Sequence, residues 1–436
     1  MERTLISEVK KFLGKRVKVA GFVNSLREHG KIVFLDLRDR TGVLQVVLSK
    51  EMAKNLGEEF VLEIEGKVER RPKGMENPNL ETGKFELKAE RVKILAKSYP
   101  LPFDVKKLSL SLPKILDWRP LTLRNEKIKA IFSVQQVIVN AFREAAKNLG
   151  FFEFQAPTIV SSAAEGGAEL FQIDYYGKKA YLAQSPQLYK QILVSVYERV
   201  FTVTKAFRAE PSLTTRHLSE FTSLDCEMGF IQSWEEIMDV CEEIIKHIFE
   251  RVNKECKKEL KFFSVTLPKL KKKIPKIKLA EAFEIISKRT KKEKTGFDLQ
   301  PEDEREICEY SKEKFKSELI FITHYPAKKR PFYTFPDPQN PDFTLSFDLL
   351  FRGLEIVSGG QRISDYKMLV KNMKKFGLSP NEFRFYLQAF KYGMPPEGGF
   401  GIGLERLTKQ ILNLKNVKEA TLFPRDPKRI DLLLKK

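Results

Sequence analysis

Phe201-Thr-Val-Thr-Lys-Ala-Phe-Arg-Ala-Glu210, the polar run Pro211-Ser-Leu-Thr-Thr-Arg-His-Leu-Ser-Glu220, and Phe221-Thr-Ser-Leu-Asp-Cys-Glu-Met-Gly-Phe230 read as strand, loop and returning strand. Side chains alternate across a strand, so Arg208 and Glu210 share one face and Phe207 takes the other. In the return strand Phe221, Ser223, Asp225 and Glu227 line one face, with Leu224, Cys226, Met228 and Phe230 opposite. One side of the sheet is apolar, fit for a core, and the other is charged. A guanidinium beside carboxylates on a rigid face suits a ligand with both an ammonium group and phosphates, because the planar fork of arginine matches phosphate oxygens. A surface ion-pair network would show the same pattern.

Two segments further on carry the argument outward. Leu345-Ser-Phe-Asp-Leu-Leu-Phe-Arg-Gly-Leu-Glu-Ile-Val-Ser-Gly-Gly-Gln-Arg362 alternates again, setting Asp348 against Phe347 and Leu349 and carrying Glu355, Ser358 and Arg362 into a glycine-containing turn. Asp348 and Glu355 are hard oxygen donors of the kind Mg2+ takes together with substrate phosphates. Gly398-Gly-Phe-Gly-Ile-Gly-Leu-Glu-Arg406 leads into a helix at Leu407. Small residues there allow close backbone approach, and a helix start favours anions.

Upstream, Ile131, Val134, Ile138, Phe142, Ala145 and Leu149 recur at helical spacing between Asn125, an N-cap, and Gly150, a stop. From Phe151 onward strands and helices mix without the beat of a doubly wound sheet, so the fold class is α+β around an antiparallel sheet. Neither Gly-x-x-x-x-Gly-Lys-Ser/Thr nor Gly-x-Gly-x-x-Gly occurs, which argues against a P-loop or Rossmann site.

Nearer the N-terminus, Val17-Lys-Val-Ala-Gly-Phe, Ile32-Val-Phe-Leu-Asp-Leu, Val43-Leu-Gln-Val-Val-Leu, Phe60-Val-Leu-Glu-Ile-Glu-Gly and Phe85-Glu-Leu-Lys alternate with period two. Five short strands suggest a five-stranded OB-fold barrel. Residues 1–99 form this domain, the Pro-punctuated stretch 100–122 reads as a hinge, and 123–436 form the larger domain. The chain has 78 basic and 58 acidic residues among 436, a net charge of +20, and such a surplus attracts polyanions. Between Lys257 and Lys294 lysines crowd around prolines, either as an RNA-facing loop or as a solvated insertion. No stretch approaches the roughly 20 apolar residues of a membrane span. The N-terminus lacks the apolar core of a leader, which points to the cytoplasm. Cys226, Cys241, Cys256 and Cys308 are too far apart for a zinc knuckle and read as buried apolar residues in a reducing compartment.

Taken together the segments resemble the class II aminoacyl-tRNA synthetases of the aspartyl, asparaginyl and lysyl subgroup, and within it the aspartyl branch. The helix with Phe154-Gln-Ala-Pro157 is similar to the family's first motif, at its dimer interface. Phe207-Arg-Ala-Glu210 through Arg216-His-Leu218 to Glu227 is similar to the second motif, and Gly403-Leu-Glu-Arg406 to the third. Glu165-Gly-Gly-Ala-Glu-Leu-Phe171, Gln184-Ser-Pro-Gln-Leu-Tyr-Lys190 and Phe423-Pro-Arg-Asp426 add to a resemblance that spans nearly the whole chain. No large extra domain separates the second and third motifs, as in the compact archaeal and eukaryotic layout.

The resemblance implies that the α-carboxylate of L-aspartate attacks the α-phosphorus of ATP, releasing pyrophosphate. The aspartyl group then passes to the 3′-terminal adenosine of tRNA(Asp), with tRNA(Asn) open as a second acceptor. An asparaginyl enzyme and a non-catalytic tRNA-binding paralogue are the alternatives. By likeness, Arg208, Glu210 and Arg406 are catalytic, with Arg208 on the α-phosphate and Arg406 toward the adenine or γ-phosphate. Ala209, Arg216, His217, Leu218, Glu355, Gly403, Leu404 and Glu405 complete the ATP site, with Phe221 stacking on adenine. Asp348, Glu355 and Ser358 hold Mg2+.

For the amino acid, the resemblance sets Lys190 and Arg362 on the side-chain carboxylate, Asp225, Glu165 and Gln187 on the ammonium, and Ser358 alongside. Asparagine would leave two buried cations short of a partner, at a cost of ~3 to 5 kcal/mol. In the barrel, Arg27, Phe34 and Gln45 match anticodon-binding positions, and a homodimer is expected. At Pro395-Pro-Glu-Gly-Gly399 the chain departs from many relatives, in which a histidine commonly follows the two prolines; here Glu397 makes the local field less positive.

Overall fold

The alternating N-terminal runs become β1 (Arg16–His29), β2 (Ile32–Arg38), β3 (Val43–Ser49), β4 (Val61–Arg70) and β5 (Phe85–Ala96), closed into a barrel in the order β1-β2-β3-β5-β4. The computed structural model describes residues 1–161, 170–211, 213–270 and 272–434. They divide into two compact units, Met1–Asp104 and Val105–Lys436. Val19, Val23, Leu35, Leu37, Leu44, Val46, Leu62 and Ile64 fill the barrel, joined by Ile6 and Val9 of a 3-10 helix. β1 serves two neighbours, pairing with β2 and β4, and a bulge between Val23 and Ser25 lets it bend between them. Gly21 sits at this crossing, where a Cβ would lie 2.4 Å from the carbonyl oxygen of Arg38.

In the second unit, β6 (Phe152–Glu153) is followed by a small sheet of β7 (Ile159–Val160), β8 (Gln172–Tyr175) and β9 (Lys178–Leu182). The remaining strands are β10 (Arg199–Phe207), β11 (Glu220–Gly229), β12 (Lys276–Lys278), β13 (Leu319–Thr323), β14 (Ser346–Phe351), β15 (Leu354–Gln361) and β16 (Glu397–Gly403). With β6 they build an eight-stranded sheet in the order β12-β13-β14-β15-β16-β11-β10-β6. Only the outermost pairs, β12 with β13 and β10 with β6, run parallel. The α+β expectation with an antiparallel core therefore holds.

The helix Glu126–Asn148 begins at Asn125, whose side chain accepts from the amides of Lys127 and Ile128. That satisfies two of the orphan donors of a helix start. Gly150 follows the helix at a φ of 79°, a region glycine enters freely. Ile131, Val134, Ile138 and Phe142 pack with the helix Glu235–Glu255 onto Leu224, Cys226, Met228, Phe347, Leu349, Phe400 and Ile402. All of these sheet residues come from one face, which leaves the opposite face of β11, β14, β15 and β16 for polar side chains.

Within the stretch 100–122, Leu112–Asp117 and Arg119–Thr122 are helical, and both belong to the second unit. Arg119 is buried and donates to the carbonyls of Leu422 and Thr421 at 2.8 and 2.6 Å. The lysine-rich stretch is not a bare loop: it holds the helices Lys257–Phe262 and Leu279–Thr290 as well as β12. Lys273 meets Asp239 at 2.7 Å and Lys294 meets Asp303 at 2.9 Å, so part of its charge is balanced within the fold. Among the described residues no helix is long and apolar enough to cross a membrane. All four cysteines are free and buried.

Candidate active site

The polar face of the sheet is the floor of a cleft of about 390 Å³. β11 sets Ser223, Asp225 and Glu227 in a row on it, and neighbouring β16 makes room for them. A Cβ on Gly399 would lie 2.2 Å from Glu227 Oε2, and one on Gly401 would lie 3.1 Å from Asp225 Oδ1. The intervening Phe400 and Ile402 turn into the core. The glycine run therefore does more than open a helix: alternate glycines clear space for carboxylates on the next strand.

Two cations meet this row at one end of the cleft. Lys190, from the helix Gln187–Tyr197, is 1 % exposed and places Nζ 2.9 Å from Asp225 Oδ1 and 3.0 Å from Glu227 Oε2. Arg362, just past β15, donates from Nε to Glu227 Oε1 at 2.8 Å and from Nη2 to the carbonyl of Gly399 at 3.0 Å. Its second Nη2 contact is Gln187 Oε1 at 3.4 Å, and its guanidinium lies over the Tyr333 ring. Burial by itself would lower the Lys190 pKa, but Asp225 and Glu227 outweigh it and hold the ammonium above its usual range. Burial likewise opposes the charge on Glu227, yet Arg362 and Lys190 hold its carboxyl below the ordinary value.

At the other end lie Arg208, Phe221, Arg216, His217, Glu355 and Arg406. The Arg208 guanidinium sits 5.5 Å from the Phe221 ring centroid, and 3.8 Å separates its Nη1 from Glu210 Oε1. Arg406 Nη1 lies 3.1 Å from Glu355 Oε2. Burial would raise the Glu355 carboxyl, but Arg406, Arg330 and Arg208 together hold it low. Arg216 is bound by Glu304 of the helix Pro301–Phe315, whose Oε2 also accepts from the amide of Glu355 at 3.2 Å. Burial, followed by Arg406, lowers the His217 pKa and keeps the imidazole neutral at pH 7. Its Nδ1 is 2.6 Å from Thr214 Oγ1.

Asp348 lies opposite Ser358 across β14 and β15. Arg330 reaches both, with Nη2 2.8 Å from Asp348 Oδ2 and Nη1 donating to Ser358 Oγ at 3.0 Å. Asp348 Oδ1 is buried with no hydrogen-bond partner. Among the described residues no three His, Cys, Asp or Glu side chains form a metal cage by themselves. An orphaned carboxylate oxygen near Glu355 and a cleft open to phosphates nevertheless fit Mg2+, which binds through one or two carboxylates plus substrate oxygens.

Of the residues singled out from the sequence, Gln187, Lys190, Arg208, Arg216, His217, Leu218, Phe221, Asp225, Glu355, Ser358, Arg362, Gly403, Glu405 and Arg406 all line this one cleft. Ala209 and Glu210 follow Arg208 in the chain and, like Asp348, are not among the residues that line the cleft. Leu404 turns its side chain into the core and has only backbone to offer. Both carboxylate oxygens of Glu405 accept from the amide of Thr222 at 3.0 Å, which ties the helix Leu404–Ile411 to β11. Glu165 lies outside the described residues.

Glu227, Gln191, Glu304, Arg330 and Glu397 take part in the site although they were not assigned to it. Glu227 was legible from its alternation with Ser223 and Asp225. Glu304 arrives from the helix Pro301–Phe315 and Arg330 from the stretch before β14, and neither carries a motif that points to the cleft.

The outer face of the barrel is built by register. Arg27 of β1 and Val47 of β3 stand opposite Phe34 of β2, while Ser25 and Gln45 stand opposite Asp36. Opposed residues share a face, so Arg27, Phe34 and Gln45 share one, turned away from the core residues Val33 and Leu35. Arg27 is 3.1 Å from Asp36, and Gln45 donates to Glu86 at 2.9 Å.

Residues 112–427 match the family of tRNA synthetases class II (D, K and N), and residues 17–95 match the OB-fold nucleic acid binding domain. The chain is 42 % identical to the aspartate–tRNA(Asp/Asn) ligase of Deinococcus radiodurans, covering 99 % of both proteins. It is also 42 % identical to the aspartate–tRNA(Asp) ligase of Pyrococcus furiosus, covering 96 % of each. Among solved structures it is similar to asparaginyl-tRNA synthetase from Pyrococcus horikoshii complexed with asparaginyl-adenylate, with a TM-score of 0.90, 33 % identity and 99 % of both chains covered. A family match across the whole sheet unit, joined to a barrel match and to relatives aligned end to end, places this chain among the class II tRNA synthetases of the D, K and N group.

Proposed function

We propose that the chain is an aspartate–tRNA ligase, which activates L-aspartate with ATP and transfers it to tRNA(Asp). The observation that carries this reading is the pairing of Lys190 and Arg362 around Glu227 at one end of a cleft whose other end holds Arg208, Arg406 and Glu355. The aspartate–tRNA ligases similar over the full chain support it. In this reading Lys190 and Arg362 receive the side-chain carboxylate, and Asp225 and Gln187 face the ammonium. Arg208 and Arg406 take the triphosphate, with adenine stacked on Phe221. Such a site works by aligning the attacking carboxylate with the α-phosphorus and by neutralising charge on the equatorial oxygens, so it needs no covalent nucleophile.

Asp348, Glu355 and Ser358 would hold Mg2+, which when bound supplies positive charge to the phosphates. Arg208 keeps its guanidinium beside the ring of Phe221, where both reach one nucleotide. His217, neutral beside three arginines, serves as a hydrogen-bonding contact of the loop after β10 and not as a base. We assign residues 1–99 to the anticodon, through Phe34, Gln45 and Arg27, and residues 123–436 to catalysis, with 100–122 joining them in the chain and its two helices packed into the catalytic unit. Phe152 and Tyr197, both exposed and with rings stacked at 4.1 Å, together with the exposed Val196 next to Tyr197 in the chain, suit the surface of a homodimer, and we assign the enzyme to the cytoplasm.

Amino-acid-dependent pyrophosphate exchange tests the proposal. Aspartate should support exchange and asparagine should not; the reverse result would transfer the chain to the asparaginyl branch. Charging of purified tRNA(Asp) and tRNA(Asn) side by side then decides whether tRNA(Asn) is a second acceptor.

A further inference from the structure

Beneath the amino-acid end of the cleft lies a second layer of polar groups. Glu397, at the start of β16, is fully buried. Gln191 Nε2 donates to its Oε1 at 2.8 Å, and the Tyr386 hydroxyl donates in turn to Gln191 Oε1 at 3.2 Å. Its other oxygen, Oε2, is buried with no hydrogen-bond partner. The amide of Arg362 donates to the Glu397 carbonyl at 2.9 Å, which ties the residue to one of the two floor cations. The groups that face the carboxyl are Glu227 from β11, Arg362 after β15, Lys190 and Gln191 from the helix Gln187–Tyr197, and the Tyr386 phenol from the helix Arg384–Lys391.

The charges of this layer balance only one way. Lys190 and Arg362 bring two positive charges, and Asp225 and Glu227 answer with two negative ones. An ionised Glu397 would be a third carboxylate against two cations, and the side chain of an incoming aspartate would be a fourth. An unpaired carboxylate at full burial is costly, and such a group takes up a proton instead. Burial, and after it the nearby Glu227, push the Glu397 carboxyl well above the usual carboxylate range.

We propose that Glu397, as an uncharged acid, is a positioning residue for the amino acid: it leaves Arg362 and Lys190 without a third carboxylate, so that the pocket admits a substrate with an anionic side chain of its own. This deepens the aspartate-activating reading and rests on it. The proton on Glu397 and the substrate carboxylate are then linked, since each favours the presence of the other. Affinity for aspartate falls as pH rises through the ionisation of Glu397 in the free enzyme, at a limit approaching about tenfold per pH unit.

The test is the KM for aspartate in pyrophosphate exchange, followed from neutral pH upward for the full-length enzyme and for Glu397→Gln. The wild-type KM should climb while kcat holds, and the glutamine variant, with no proton to lose, should show a flat KM. Coincident profiles would overturn the proposal, because a purely structural glutamate would change stability or kcat and leave the slope alone. If the variant does not fold, calorimetry of aspartate binding to wild type in two buffers of different ionisation enthalpy gives the answer. Proton uptake on the alkaline limb supports the proposal, and its absence overturns it. A wild-type enzyme without aspartate-dependent exchange would sink the functional reading and this inference with it, whereas exchange with coincident profiles would sink the role of Glu397 alone.

Discussion

Arg330 Nη2 lies 2.8 Å from Asp348 Oδ2, so a guanidinium is fastened to one of the two carboxylates that suit a metal. The same side chain holds Ser358 Oγ at 3.0 Å and rests 3.9 Å from the Tyr325 ring centroid. Arg330→Met would leave Asp348 buried beside Glu355 with no cation in contact. Breaking such a pair costs about 3 kcal/mol of folding free energy, to be read from denaturant unfolding. Removing the competing cation should also lower the Mg2+ concentration that gives half-maximal exchange; an unchanged Mg2+ dependence would remove Arg330 from the metal's surroundings.

In the proposed function Arg208 serves the chemistry, and its surroundings give it little part in the fold. Its side chain is 45 % exposed, and among the described residues the carboxylate it pairs with, Glu210, is 3.8 Å away. Arg208→Ala should therefore leave the unfolding midpoint nearly unchanged while slowing adenylate formation by about 100- to 1000-fold, the usual loss for a group aimed at developing charge. Binding of tRNA should persist. Exchange near the wild-type rate would withdraw the phosphate role.

How much of this was legible in the chain follows from the physics of each element. The charged and apolar faces of Phe221 to Phe230 were readable because a strand alternates with period two, and the barrel strands were readable for the same reason. Lys190, Arg362 and Arg406 were recognised through motif likeness, but motifs do not say who pairs with whom. Motif likeness implies that Lys190 and Arg362 await a substrate carboxylate, whereas the fold has already set Glu227 between them. Asparagine in the pocket would thus meet cations that are partly satisfied, and the discrimination expected from two unpaired charges is correspondingly smaller. Glu304 and Arg330 lay beyond reach because neither the helix Pro301–Phe315 nor the stretch around Arg330 carries a motif that points to the cleft, and only the tertiary fold brings them in. Glu397 was visible as a departure at the two prolines, but its complete burial was not.

Glu405 makes a prediction with a definite sign. Burial pushes its carboxyl up from an ordinary 4.5 to about 7. Between those values the folded chain keeps a proton that the unfolded chain has released, so stability is highest on the acid side and is lost as pH rises toward 7. The loss is of order 3 kcal/mol over the interval. Unfolding free energies of wild type and Glu405→Gln, measured at intervals from acid to neutral pH, should diverge by a smaller slope in the variant. Parallel curves would mean that Glu405 stays ionised, held by the amide of Thr222.

Phe34 decides whether the barrel reads RNA. Alternation alone allowed a core position, but the register sets Phe34 on the outer face beside Arg27 and Val47, opposite in direction to the core residues Val33 and Leu35. A half-buried ring there, flanked by Arg27 and near Gln45, is placed to stack on an unpaired base, a contact worth roughly 1 to 3 kcal/mol. Phe34→Ala should raise the KM for tRNA by about tenfold or more and leave aspartate-dependent exchange, which needs no tRNA, unchanged. A core role predicts the opposite division: a lower unfolding midpoint with tRNA charging intact in whatever protein remains folded. Measuring both quantities on one preparation separates the two, because a base platform and a core residue cannot fail in the same assay for the same reason.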